Sequence, residues 1–309
     1  GALAEAIKKA GNVVLAEQLR AKEIASSDDV DTEPGGHRLV ETLKPLESFL
    51  HAAFATAPFV LPRMPVRVSQ YWTFQTDAGD APTFPVLALQ LYTLEAYQDM
   101  RALLGKASPQ HAARLPRDAS SAIESSGASK FTRDLRQHLH SDFDVSDALA
   151  RVVVGPGSNH RPVSALVNLY TGANRQYLNF YGPPRSVTTI PYYQALQLSN
   201  DATNGAPVDL RGKAVFVGLS ENLLAERQDS FHTVFSKTNG VFISGVEIAA
   251  TAFLNLLTNT AVKPLRPSYQ VVTILVWGMI VGVICRTMAP LAAAIGVFLS
   301  SAAYLFGTS

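Results

Sequence analysis

The carboxyl-terminal end of the chain carries two runs without any charged side chain. No Asp, Glu, Lys or Arg occurs from Pro267 to Cys285 or from Thr287 to Ser309, and Arg286 alone separates the runs. An α-helix needs about 20 predominantly apolar residues to cross the hydrocarbon core of a bilayer. The pattern therefore predicts a transmembrane helical hairpin, with helices at about residues 268–285 and 288–306. The alternative is a buried hairpin in a soluble protein, although such helices usually show a polar stripe.

Composition restricts the remaining function classes. Charged residues make up 17% of the chain, against roughly 25% in typical soluble domains, and 47% of the residues are hydrophobic. The net charge is +1 and no basic stripe with interleaved aromatics occurs, so no nucleic-acid partner is expected. Cys285 is the single cysteine, which excludes a disulfide framework and a cysteine-based metal site. We expect neither a cofactor nor a metal.

Helical and strand patterns alternate through residues 1–262 and predict an α/β layered domain. Apolar spacing favours helices at residues 3–10, 45–56, 82–97 and 245–257. Alternation or short apolar runs favour strands at residues 12–16, 66–74, 165–170, 176–181 and 214–219.

Residues 106–146 differ in composition from the rest of this domain. They are rich in Ser, Ala, Arg, His and Asp, which predicts an exposed insertion with one helix over Thr132 to His140. Histidines 138 and 140 are two apart and point away from each other on a helix. We therefore expect them to lie on a solvated surface, together with His111.

The segment GKAVFVGLSENLLAERQDSFHT, residues 212–233, has several chemical interpretations. It is not a phosphate-binding loop, because its lysine precedes the predicted strand instead of following a second glycine. Ser220 follows that strand as a hydrolase nucleophile would, with Asp229 and His232 as partners, but Asn222 replaces the second glycine of a nucleophile elbow. Asp229 and His232 could also supply two metal ligands, without a visible third.

Several motifs occur in an order that is similar to a known family. They are ALAEAIKKAGNVVLA, QYLNFYGPPRSVTTIPYYQAL, the strand GKAVFVG, the loop RQDSFHT, and GVEIAATAFLNLL leading through a proline into the apolar runs. This order resembles the extracellular CHASE sensory domain of the second type, found in bacterial membrane receptors beside adenylate and other nucleotide cyclases, histidine kinases and Ser/Thr kinases. The resemblance covers most of the chain except residues 106–146. Ala249 and Val234 depart from it, where many relatives have a histidine and a proline.

The candidate ligand-binding residues are Asp229, His232, Thr233, Asn179 and Arg185. The first three follow the predicted strand 214–219, and open α/β sheets bind ligands beyond the carboxyl ends of their strands. The alternative is that Asp229 and Thr233 only hold their loop through side-chain to backbone hydrogen bonds.

The resemblance implies the sensory input and membrane-anchoring part of a bacterial signalling receptor, without catalysis in these residues. Its globular domain is expected in the periplasm and its hairpin in the inner membrane, with an effector reached through a further crossing after Ser309 and another segment before Gly1. Arg286 favours a cytoplasmic turn, while Lys263 and Arg266 argue mildly against it.

The expected partners are the lipid bilayer, an unknown small ligand, and a second copy or another membrane protein. A membrane-tethered structural or scaffold subunit with a sensor-like fold is the alternative.

Overall fold

A computed structural model describes residues 1–23, 38–61, 67–140, 149, 161–197, 210–220, 230–236, 242–262 and 267–287. The chain forms two compact units, residues 1–262 and residues 263–309. The described part of the first unit is mostly helical, with one three-stranded and three two-stranded sheets. The predicted mixed α/β class is confirmed.

The first unit begins with a helix followed by a strand, as the sequence predicts. Helix α1 (Ala2–Ala10) ends at Gly11, whose φ of 66° is the left-handed conformation that glycine adopts without strain. Strand β1 (Val14–Glu23) pairs antiparallel with β2 (Arg38–Leu43) and parallel with β3 (Ala55–Pro58). The helix predicted over residues 45–56 is short, because α2 (Glu47–Leu50) ends before the chain enters β3.

The other strands form three antiparallel pairs: β4 (Gln70–Trp72) with β7 (Arg175–Tyr177), β5 (Phe74–Gln75) with β6 (Ala81–Pro82), and β8 (Ser230–Phe231) with β9 (Ile243–Ser244). The strands predicted at residues 66–74 and 176–181 are thus present but shorter. The strand predicted at residues 214–219 is wrong, because this segment has no regular secondary structure and pairs with no strand among the described residues. Its Phe216 ring packs against the rings of Phe84 and Phe253 at centroid distances of 5.9 and 5.5 Å.

The remaining described α-helices of the first unit are α3 (Phe84–Tyr92), α4 (Tyr97–Ala107), α5 (Pro109–Arg114), α6 (Ala119–Ser126), α7 (Ala128–His140), α8 (Arg161–Thr171), α9 (Tyr192–Gln197) and α10 (Gly245–Thr258). All of them except α9, whose side chains are largely exposed, contribute buried residues to the core. Helix α10 confirms its sequence prediction, whereas the helix predicted over residues 82–97 ends early, at Tyr92. The strand predicted at residues 165–170 is wrong, because α8 occupies this segment. Val163, Leu166, Val167 and Tyr170 recur at helical spacing and are all buried, and a short apolar run does not distinguish strand from helix.

The prediction of an exposed insertion at residues 106–146 is also wrong where the structure describes it. Residues 109–140 form α5, α6 and α7, and Phe131, Leu135 and Leu139 of α7 are buried in the core. Alanines at the buried positions Ala112 and Ala128 allow close packing. The composition looked solvated because these small side chains carry little hydrophobic signal of their own. Residues 141–146 lie outside the described ranges.

The second unit contains helix α11 (Pro267–Thr287). Its large aliphatic side chains are mostly exposed, among them Val271, Ile274, Leu275 and Met279. Within the described ranges, no helix combines the length and apolar character that a membrane crossing requires. The predicted second helix at residues 288–306 lies outside the described residues, so the hairpin stays a prediction.

Candidate functional site

Four of the five predicted ligand residues are described, and they lie beside α10 or the hairpin that leads into it. Asn179 is held by Asn255, a fully buried residue of α10. The Asn255 Oδ1 atom accepts from the Asn179 backbone N–H at 2.7 Å, and its Nδ2 donates to the Asn179 carbonyl at 3.0 Å. Nδ2 also lies 3.2 Å from the Tyr181 hydroxyl. Asn255 was missed from the sequence, although an amide within the apolar run GVEIAATAFLNLL was a visible signal.

Arg185 lies near the other end of the same helix. Its backbone N–H donates to Glu247 Oε1 at 2.7 Å, and its side chain is exposed. Its φ is 70°, an uncommon conformation for a residue with a side chain and one that marks local strain. Glu247 and Asn255 are eight residues apart, which is about 12 Å along a helix axis. The backbones of Asn179 and Arg185 are therefore fixed to separate points of α10.

His232 and Thr233 follow strand β8, which pairs with the strand that leads into α10. Thr233 is fully buried and its Oγ1 accepts from the Phe235 N–H at 3.3 Å, while Ser236 Oγ accepts from the Thr233 N–H at 3.0 Å. The Thr233 hydroxyl thus holds its own turn, as the alternative interpretation expected. The His232 carbonyl accepts from the Val68 N–H at 2.7 Å, and its ring packs edge-on against Phe242.

Asp229 lies outside the described residues. The metal-ligand interpretation of Asp229 and His232, and the interpretation of Ser220 as a nucleophile with these two partners, therefore stay predictions. Among the described residues no group of three or more His, Cys, Asp or Glu side chains could hold a metal ion. Ser244, the residue before α10, is 3% exposed, and its Oγ has no hydrogen-bond partner among described residues. The ligand role of the five predicted residues stays a prediction.

A separate cleft of about 380 Å³ opens where α7 begins. We call it the α7 cleft. Its lining residues come from three distant parts of the chain: Leu50, Ala53, Phe54, Ala55, Thr56, Ala81, Pro82, Ser126, Gly127, Ala128, Ser129, Lys130 and Arg133. None of the four described ligand residues, Asn179, Arg185, His232 and Thr233, lines it. The cleft has no signature in the sequence, because the segment around α7 has the composition of a solvated surface.

Polar contacts fix the walls of the α7 cleft. The Ser129 hydroxyl donates to the Thr56 carbonyl at 3.3 Å, which connects α7 to β3. The Thr56 hydroxyl donates to Glu17 Oε1 on β1 at 2.5 Å. Lys130 Nζ lies 2.6 Å from Asp134 Oδ2, one helical turn along α7. Arg133 is half-buried and makes no hydrogen bond or ion pair with a residue that the structure describes.

A buried cation, Arg136, anchors α7 to α8 about one turn beyond Arg133. Its guanidinium donates to the backbone carbonyls of Leu169, Tyr170 and Gly172 at the end of α8, and lies 5.1 Å from the centre of the Phe74 ring. Carbonyls at a helix carboxyl terminus attract a cation. Burial is the main cause that lowers the pKa of Arg136, to about 10. Burial also lowers the pKa of His140 at the end of the same helix.

The family model of the CHASE2 domain matches residues 1–284. The chain belongs to the CHASE2 domain family. CHASE2 domains are extracellular sensor domains, so the resemblance inferred from the order of motifs is confirmed. No curated protein and no solved structure shows significant similarity to the chain.

Two positions where this CHASE2 domain departs from many relatives have different surroundings. Ala249 is 3% exposed within α10, whereas Val234 is largely exposed beside the turn that Thr233 holds. A methyl group and an isopropyl group offer no hydrogen bond to a ligand, so no polar ligand contact carries over to these positions. Any polar side-chain contact between this CHASE2 domain and a ligand therefore involves residues other than Ala249 and Val234.

Proposed function

We propose that the chain is the sensory input and membrane-anchoring part of a bacterial transmembrane signalling receptor. The observation that carries the proposal is the CHASE2 match over residues 1–284, since CHASE2 domains are extracellular sensors. The domain binds an extracytoplasmic ligand or partner and passes the change to an effector in the cytoplasm. Such a ligand acts only through a difference in its affinity for two conformations of the domain.

Helix α10 is the proposed transmitter of that change. It is buried along most of its length, and its Phe253 ring contacts the rings of Tyr92 and Phe216. Asn255 and Glu247 tie it to the segment that carries Asn179 and Arg185. Residues 259–266 alone separate α10 from α11 in the sequence. A shift of that segment or of α10 can therefore be transmitted to α11 through this short connection.

Attachment to the inner membrane belongs to the same proposal. It is supported by the uncharged runs at residues 267–285 and 287–309 and by the exposed aliphatic side chains of α11. A second copy of the chain is the proposed partner, because paired effector domains require two receptors side by side. The globular domain then lies in the periplasm.

Fusions to alkaline phosphatase, which is active only outside the cytoplasm, test this topology. In fusions made within the natural gene, we expect high activity after Val262 and low activity after Thr287. The second fusion contains the first uncharged run and is expected to be retained in carbonate-washed membranes. Active enzyme after Thr287 together with inactive enzyme after Val262 places the domain in the cytoplasm and overturns the proposal. A cyclase or kinase encoded beyond Ser309 separates the receptor from the scaffold alternative, which needs no effector.

A further inference from the structure

We propose that the α7 cleft binds a small organic anion, namely a carboxylate or phosphate group on a compact apolar body. The inference rests on the proposed function for its biological meaning, since it names the chemical class of the sensed ligand. It concerns a site whose described lining does not include His232, Thr233, Asn179 or Arg185.

The size of the cleft suits a small molecule. Its volume of about 380 Å³ is near the lower end of the range of ligand pockets, roughly 300–1,000 Å³. Liquid water occupies about 30 Å³ per molecule, so the cleft has room for about a dozen waters. A ligand with a single ring or a short branched chain fills this space, whereas a folded partner does not enter it.

One part of the cleft lining is apolar. Leu50, Phe54 and Pro82 line the cleft together with three alanines contributed by residues 53–55 and 81. Water against such side chains finds few hydrogen-bond partners, and its displacement by an apolar group is favourable. These residues therefore select a ligand with an apolar body over an inorganic ion.

The charged part of the lining comes from α7. Lys130 and Arg133 are the two charged residues of the cleft's described lining, which contains no carboxylate. The Lys130 charge is offset by Asp134 at 2.6 Å, and the nearby Glu17 carboxylate already accepts from Thr56. Arg133 is left as the main cation for a ligand. A guanidinium forms two parallel hydrogen bonds with a carboxylate or phosphate, which favours an anionic ligand over a cationic one.

Three probes of similar size test the inference on the purified full chain in detergent: benzoate, phenyl phosphate and the neutral benzamide. We expect isothermal titration to detect both anions and to show at least tenfold weaker binding of benzamide. Arg133→Gln is expected to weaken both anions about tenfold or more, because a charge-assisted hydrogen-bond pair is lost. Arg133→Lys keeps the charge and is expected to retain part of the affinity.

Arg114→Gln is the matched control, since it removes the same charge from an exposed position outside the cleft. It is expected to leave the affinity for both anions unchanged, and the unfolding midpoints of all three variants verify that they are folded. Absence of anion binding, equal affinity for benzamide, or equal losses in Arg133→Gln and Arg114→Gln overturns the inference. The fusion experiment is independent of these titrations. If the domain binds the anions but lies in the cytoplasm, this inference holds and the proposed function is overturned.

Discussion

Asn255 shows how one buried amide organises the region of the predicted ligand residues. It is fully buried, and it pairs with both the N–H and the carbonyl of Asn179. An isolated backbone segment that turns past a helix has no ladder partner for these groups, and burial without a partner is costly. The side chain of Asn255 therefore supplies the two hydrogen bonds that a neighbouring strand would otherwise make to Asn179.

We predict that Asn255→Ala lowers the free energy of unfolding by about 2–4 kcal/mol, because two partly buried backbone groups of Asn179 each lose a partner, at about 1–2 kcal/mol each. Urea unfolding of the chain in detergent, followed by circular dichroism, measures this loss. Asn168→Ala is the control. Its Nδ2 bonds only to Ser164 Oγ at 3.3 Å on a half-buried surface, so a loss under about 1 kcal/mol is expected. Equal losses in the two variants contradict the role of Asn255.

At the scale of elements, the segment at residues 214–219, which contains Gly218, lies close to the first turn of α10. A methyl group added at Gly218 would lie 2.8 Å from Val246 Cβ. Real Cβ atoms do not approach so closely, so the absence of a side chain at Gly218 sets the distance between segment and helix.

Gly218→Ala is predicted to lower the free energy of unfolding by about 1–3 kcal/mol, as expected for overpacking. The double variant with Val246→Ala is predicted to recover the part of this loss that comes from the two Val246 methyl groups at 3.0 and 3.4 Å, whereas the contact with the Val246 Cβ remains. Gly105→Ala is the control, since its nearest neighbour is Ala112 Cβ at 3.8 Å within the helical region. Better helix propensity should raise stability there by about 0.5–1 kcal/mol. Strictly additive effects in the double variant would refute the proposed close contact.

At the scale of the whole molecule, three buried tyrosines affect the response to alkaline pH. Tyr71, Tyr97 and Tyr170 are at most 1% exposed. Burial raises the pKa of all three, that of Tyr97 to about 12. The unfolded chain loses these protons near pH 10, whereas the folded chain keeps them. Folding stability from this source is therefore complete below pH 10 and is lost as the pH rises toward 12.

The predicted outcome is a urea midpoint that falls between pH 10 and 12, with each tyrosine contributing up to about 1.4 kcal/mol per pH unit. Arg136 acts in the opposite direction, because its folded pKa is lowered to about 10, but one group opposes three. Tyr97→Phe should make the decline shallower, although it also removes a hydrogen bond of 2.8 Å to the Pro116 carbonyl. Tyr192→Phe, at 68% exposure, should leave the slope unchanged. An unchanged slope in Tyr97→Phe would contradict the assignment.

The sequence alone was sufficient to predict helices that have local signals and to identify the family from the order of its motifs. The spacing of apolar residues predicted α1 at residues 3–10, and the longer periodic run predicted α10. The order of motifs identified the CHASE2 family before any geometry was considered. These features depend on neighbours in the chain, so one sequence contains them completely.

Tertiary structure decided what depends on partners far apart in the chain. The segment at residues 165–170 became helix α8 because its apolar side chains could be buried at helical spacing as well as in a strand. The buried face of α7 was hidden in a polar composition, and Arg136 finds its acceptors at the end of α8. The α7 cleft needs residues 50–56, 81–82 and 126–133 to meet. Pockets and buried polar pairs arise from long-range packing, which the local pattern of a single chain does not specify.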